Sequence, residues 1–123
     1  MTGKKTAEMD RWLEEKIRRC GRRSQTLRAD DRADEAAFEK IRANVYDIFR
    51  TALSVAEKTC GDEEDAVRDF FARRAQTIPA GWAAAYEKAK EHHDPVRLQI
   101  EKLKLDTAGE VRTQFKKIWE GAE

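Results

Sequence analysis

Two prolines and six glycines are all that interrupt 123 residues, and most of them fall where the apolar periodicity also breaks. Serine is nearly missing. Ser24 and Ser54 both lie inside helical patterns, and neither sits in a nucleophile elbow. There is no Gly-rich phosphate loop, no His-Glu-x-x-His, no Cys-x-x-Cys and no Glu-x-x-His of the di-iron bundles. With those signatures absent, no residue set volunteers for catalysis and no cofactor is expected. No run approaches the roughly 20 apolar residues needed to span a bilayer. Met1-Thr2-Gly3-Lys4-Lys5 leads into Glu8-Met9-Asp10-Arg11 with no apolar leader core. The expectation is a cytoplasmic protein with no membrane partner.

A dominant charge sign is missing too. Ten basic against six acidic residues over 1–32 give way to five against ten over 33–72 and ten against eight over 73–123. A net charge of +1 divided this way makes no strong field for polyanions or anionic membranes. Cys20 and Cys60 are the only cysteines, and each falls on an apolar helix face, where a thiol behaves as a small hydrophobe. In a reducing cytoplasm they are expected to stay free.

What the chain does have is helical timing. Charged residues make up 40%, well above the usual quarter, yet the apolar residues are spaced periodically, as a disordered polyelectrolyte has no reason to do. Phe38, Ile41, Val45, Ile48, Ala52 and Val55 follow at steps of three and four, with Phe49, Leu53, Ala56 and Cys60 one position further round. Their combined face is wide enough for several neighbours. Upstream, Met9, Leu13, Ile17, Cys20, Ser24 and Leu27 keep period straight through Gly21, behind a Thr6 N-cap. Asp30-Asp31-Arg32 breaks that period, so an antiparallel helical hairpin is expected.

Beyond Gly61, Asp62 is positioned to cap a helix whose first turn is Glu63-Glu64-Asp65 and whose buried face includes Phe70 and Phe71. Pro79 should end it and open a short helix through Trp82, Ala85, Tyr86 and Ala89. Asp94-Pro95 then starts the last helix, with Val96, Ile100, Leu103, Thr107, Val111, Phe115 and Ile118 on one face. Leu98 and Leu105 lie nearly opposite Ile100 and Leu103, giving its first half two apolar sides. The fold class is therefore all-α: one domain, residues 1–123, a bundle of about five helices over 6–28, 32–60, 63–78, 79–92 and 95–120.

Candidate sites follow from this arrangement. Leu98, Leu105 and Trp119 on the last helix, with Trp12 flanking the first, form an expected interaction strip. Arg18, Arg19, Arg22, Arg23 and Arg28 form an expected anion-binding face, although Glu14, Glu15, Asp30 and Asp31 flank it and no aromatics are interleaved for base stacking. His92-His93-Asp94 is the one place where imidazoles meet a carboxylate. Adjacent histidines diverge by 100° on a helix, so a solvated helix end explains them better than a metal site. Asp62 to Asp65 reads as capping and Glu35 with Glu39 as a wet face; carboxylates gathered inside the bundle would instead mark a metal-dependent hydrolase. Helices joined near Ile78-Pro79 have the outline of a helix–turn–helix, but Ala80-Gly81-Trp82-Ala83-Ala84-Ala85 offers nothing to a base edge. The functional expectation is a non-enzymatic helical interaction module, a homodimer or an adaptor for another protein. The alternative is a nucleic-acid-associated accessory protein using the Arg18–Arg28 face.

Overall fold

The computed structural model describes residues 3–121; the leader reading at Met1 and Thr2 lies outside the described residues. Four α-helices account for almost all of them: α1 Lys4–Ala29, α2 Ala33–Cys60, α3 Glu64–Glu91 and α4 Pro95–Glu120. Successive helices are joined by short turns and run antiparallel. α2 packs against all three others, most extensively against α1, while α3 pairs chiefly with α4 and barely meets α1. The bundle is thus two hairpins, with α2 and α4 between α1 and α3. At about 1.5 Å per residue, the 28 residues of α2 make a rod of roughly 40 Å.

The number of helices corrects the sequence-based expectation. Pro79 does not split residues 63–92; it lies inside the continuous α3, its ring buried. A proline there removes one i to i−4 hydrogen bond and crowds the carbonyl four residues back. Alanine occupies that position at Ala75, and the strong helix former alanine recurs at 80, 83, 84 and 85, so propensity on both sides carries the helix through. No helix–turn–helix exists in this segment. Pro79→Ala restores the missing donor at the expense of ring packing, and is expected to raise stability by about 1–2 kcal/mol. Urea denaturation checks this; a loss of stability would show that packing of the ring dominates.

Gly21 is absorbed by α1 as its period implied, with open space where a Cβ would stand. Asp94 caps α4, its Oδ1 accepting from the Arg97 N–H at 3.0 Å, with Pro95 opening the helix. The other expected caps are displaced. α1 begins at Lys4 after Gly3, which buries Thr6 in the first turn. α3 begins after Glu63 rather than Asp62. Glu64 instead accepts from the Lys5 N–H of α1 at 3.0 Å, satisfying one of that helix's free amides from a different helix. Trp119 joins the same corner, its indole N–H donating to the Glu64 carbonyl at 3.2 Å.

The core is concentrated at this end. Met9 and Leu13 from α1, Phe49 and Leu53 from α2, Val67 and Phe71 from α3, and Val111 and Phe115 from α4 are all buried. Phe49, Phe71, Phe115 and Trp119 form a chain of rings, with centroids 6.1, 5.0 and 5.0 Å apart in that order. Toward the opposite end the buried residues become small or polar: Cys20, Ser24, Ala36, Glu39, Ala89 and Glu101. There Leu27, Phe38, Ile41, Leu98, Ile100, Leu103 and Leu105 are only half-buried. The fully buried large side chains thus gather at one end of the bundle, while those at the other end stay half-open.

Candidate functional site

The five arginines of the expected anion-binding face are exposed, and glutamates partly neutralise them. Arg18 pairs with Glu14 and Glu15, Arg19 and Arg22 with Glu15, and Arg23 with Glu39 across the hairpin at 3.8 Å. Among the five, Arg28 alone has no carboxylate within ion-pair distance among the described residues. Pairs of this kind contribute well under about 1 kcal/mol each where exposed, and with Glu15 shared by three of the arginines they reduce, without cancelling, the field that a polyanion would follow. Arg50 is engaged as well, by Asp10 at 2.8 Å and Glu14 at 3.0 Å.

The expected interaction strip is not where the exposed apolar surface lies. Trp119 is only 8% exposed, stacked on Phe115, and is a core residue rather than a surface one. Trp12 is half-buried, edge-on to Tyr46 with the Lys16 ammonium over its ring. Leu98 and Leu105 are half-buried. The open apolar residues are instead Ile48 at 41%, Val55 at 39% and Val96. At 100° per residue, Ile48 and Val55 stand roughly 100° and 120° round from Phe49, beyond the arc that α1, α3 and α4 cover. A strict seven-residue spacing through Ile41, Ile48 and Val55 drifts about 20° per turn pair on a straight helix, which carries that row off the core.

Ile48 and Val55 line a groove of about 200 Å³ between α2 and α3, with Thr51, Ala52, Arg74 and Ile78. A second notch continues it along α3, lined by Phe70, Arg73, Arg74 and Thr77. Phe70 is half-buried rather than buried, with the Arg74 guanidinium 5.6 Å over its ring. Among the described residues no carboxylate lines either hollow. Neither Arg73 nor Arg74 has an ion-pair partner among the described residues.

Carboxylates do enter the interior, which corrects the reading of Glu39 as a wet position. Glu39 is buried beside Cys20. Glu101 is 2% exposed; its Oε2 faces Lys104 at 3.4 Å and Arg97 at 3.8 Å while its Oε1 has no donor among the described residues. The Glu110 carboxylate accepts from the Tyr46 hydroxyl at 2.9 Å and faces Lys16 at 3.4 Å. These groups are dispersed along the bundle, and among the described residues no group of three or more His, Cys, Asp or Glu could hold a metal ion. His92 and His93 are exposed at the C-terminal end of α3.

Cys20 and Cys60 are free. Cys20 lies beside Glu39 of α2, and Cys60 is about 30 Å further along the same helix, far beyond disulfide reach. Burial first, and then the Glu39 carboxylate, push the Cys20 thiol up to about 11, so it carries no thiolate for nucleophilic work near neutrality. Burial and the hydrogen bond to Glu110 push the Tyr46 phenol upward in the same way.

Two further hollows lie along α2. One, of about 500 Å³ between α1 and α2, is walled by the Asp10–Arg50 pair and by Thr6 and Glu57, whose Oγ1 and Oε2 are shut from solvent without a partner among the described residues. The other, of about 400 Å³, opens at the loosely packed end between Leu27, Phe38, Arg42 and Leu103. Among the described residues no helix is long and apolar enough to cross a membrane. No protein-family model, no curated protein and no solved structure matches this chain.

Proposed function

We propose that this chain is a non-enzymatic helical interaction module of the cytoplasm that receives an apolar, acid-flanked helix in the groove between α2 and α3. The observation that supports it is the pair Ile48 and Val55, exposed by about two-fifths and facing Ile78 across a hollow that no side chain of the bundle fills. An exposed apolar row with a charged margin is how a helix-in-groove surface presents itself. Arg73 and Arg74 give the margin one sign and have no carboxylate partner among the described residues, so an acidic partner would complete them. Pairing two copies through the same face would bring four such arginines together, which places the homodimer second. The nucleic-acid reading ranks behind both, because Arg18, Arg19, Arg22 and Arg23 already have glutamate partners.

The test uses a synthetic amphipathic helix with leucines at i, i+3, i+4 and i+7 flanked by glutamates, and a second peptide with lysine flanks. Fluorescence anisotropy is expected to show saturable binding of the acidic peptide only, weakening with salt. Ile48→Lys and Val55→Lys, both at open positions, should each weaken it about tenfold or more while leaving the fold intact. Equal binding of the two peptides, or of neither, overturns the proposal. A dimer in light scattering that Ile48→Lys dissociates would give the groove to a second copy of the chain.

A further inference from the structure

The cleft at the loosely closed end has a chemistry of its own. Its walls are Leu27 from α1, Phe38 from α2 and Leu103 from α4, all half-buried, with Gln99 at the rim. Arg42 stands among them. At 100° per residue Arg42 lies only about 20° round the helix from Phe49, so a cation occupies the azimuth that carries Phe49 and Leu53 at the well-packed end. Placing a guanidinium on a core-facing position is unfavourable unless something pairs with it. Among the described residues no carboxylate lies within ion-pair distance of Arg42. The two other cations at the cleft are already answered, Arg23 by Glu39 and Arg32 by Glu35.

We infer that this cleft is a binding site for a small monoanion with an apolar body, a monocarboxylate on a short aliphatic chain. Each element of the cleft selects one part of that ligand. Arg42 offers a planar fork that matches a carboxylate. Leu27, Phe38 and Leu103 offer half-open apolar surface to the chain that follows it. Glu35 and Glu39, lining the same cleft, leave room for one negative charge and repel a second, which selects against phosphates. The volume of about 400 Å³ lies within the range of small-molecule sites. Filling it would close the end of the bundle that the chain's own side chains leave open. The site lies away from the α2/α3 groove, so it stands or falls independently of helix docking.

The probe is octanoate, titrated into the full chain by calorimetry and by amide NMR. Expected are one saturable site and shift changes centred on Leu27, Phe38, Arg42 and Leu103. Octanol and inorganic phosphate, each lacking one half of the ligand, should bind at least about tenfold more weakly. Arg42→Gln should weaken octanoate by a similar factor. Gln99→Glu, at an exposed rim position that the fold does not depend on, should weaken it severalfold and keeps the test valid should Arg42→Gln disturb folding. Octanol binding as well as octanoate, shifts scattered over the surface without saturation, or unchanged affinity in Gln99→Glu would each overturn the inference.

Discussion

Phe71→Ala is expected to remove about 3–5 kcal/mol of stability, a large part of the 5–15 kcal/mol available to a domain of this kind. Phe71 is fully buried, and its ring joins α2 to α4: Phe49 is 6.1 Å away on one side and Phe115 5.0 Å away on the other. Truncation therefore removes the transfer energy of the ring and leaves a hole between three helices that cannot all close on it. Two ring pairs are lost with it. Urea denaturation followed by circular dichroism should show the midpoint falling by more than about 1 M at typical slopes. Phe70→Ala is the control. Phe70 is half-buried beside Arg74, and its truncation should cost about 1 kcal/mol. Equal effects at the two positions would refute the description of Phe71 as the central link of the core.

The second large effect is alkaline destabilisation. The Cys20 thiol is pushed up to about 11 from an ordinary value of 9, by burial first and by Glu39 second, so the folded state holds its proton more tightly than the unfolded chain does. Stability from this group is full below pH 9 and is lost as pH rises toward 11, because the unfolded state is the one that releases the proton first. A shift of two pH units corresponds to about 2–3 kcal/mol. Tyr46, raised by burial and by its bond to Glu110, extends the loss from pH 10 upward. Urea midpoints between pH 7.5 and 10.5 should fall steeply above 9. Cys20→Ala should flatten the part between 9 and 10, and Tyr46→Phe the part above 10. A midpoint unchanged from pH 8.5 to 10.5 would mean that Cys20 reaches solvent.

The all-α class, the hairpin at Asp30-Asp31-Arg32, the passage of α1 through Gly21 and the start of α4 at Asp94-Pro95 were all legible in the sequence. Each rests on a local rule, a period of 3.6 residues or the chemistry of a cap, that acts within one or two turns. Pro79 is the exception among local signals. Its stop is a matter of about 3 kcal/mol, and an alanine-rich continuation anchored by buried Ala89 and by Trp82 against Phe49 outweighs it. The surfaces were legible only in part. The glutamates flanking the arginines were visible in order, but the link from Arg23 to Glu39 joins two helices. Trp119 was readable as apolar, yet nothing near it in sequence announces that its indole N–H would reach Glu64.

The sequence by itself determined which segments are helical, where three of the connections fall and how wide each apolar face is, because those properties follow from backbone geometry and nearest neighbours. Which part of each face is covered was decided by the tertiary structure. α2 touches α1, α3 and α4 at once, and the angles at which they meet it bury Tyr46 and Phe49 while leaving Ile48 and Val55 open. The same packing sets the half-exposed Arg42 on the core-facing side of α2, at an end where Leu27, Phe38 and Leu103 stay half-open around it. Both candidate surfaces therefore arise from how helices meet, a relation between residues distant in sequence that no periodicity along one helix can encode.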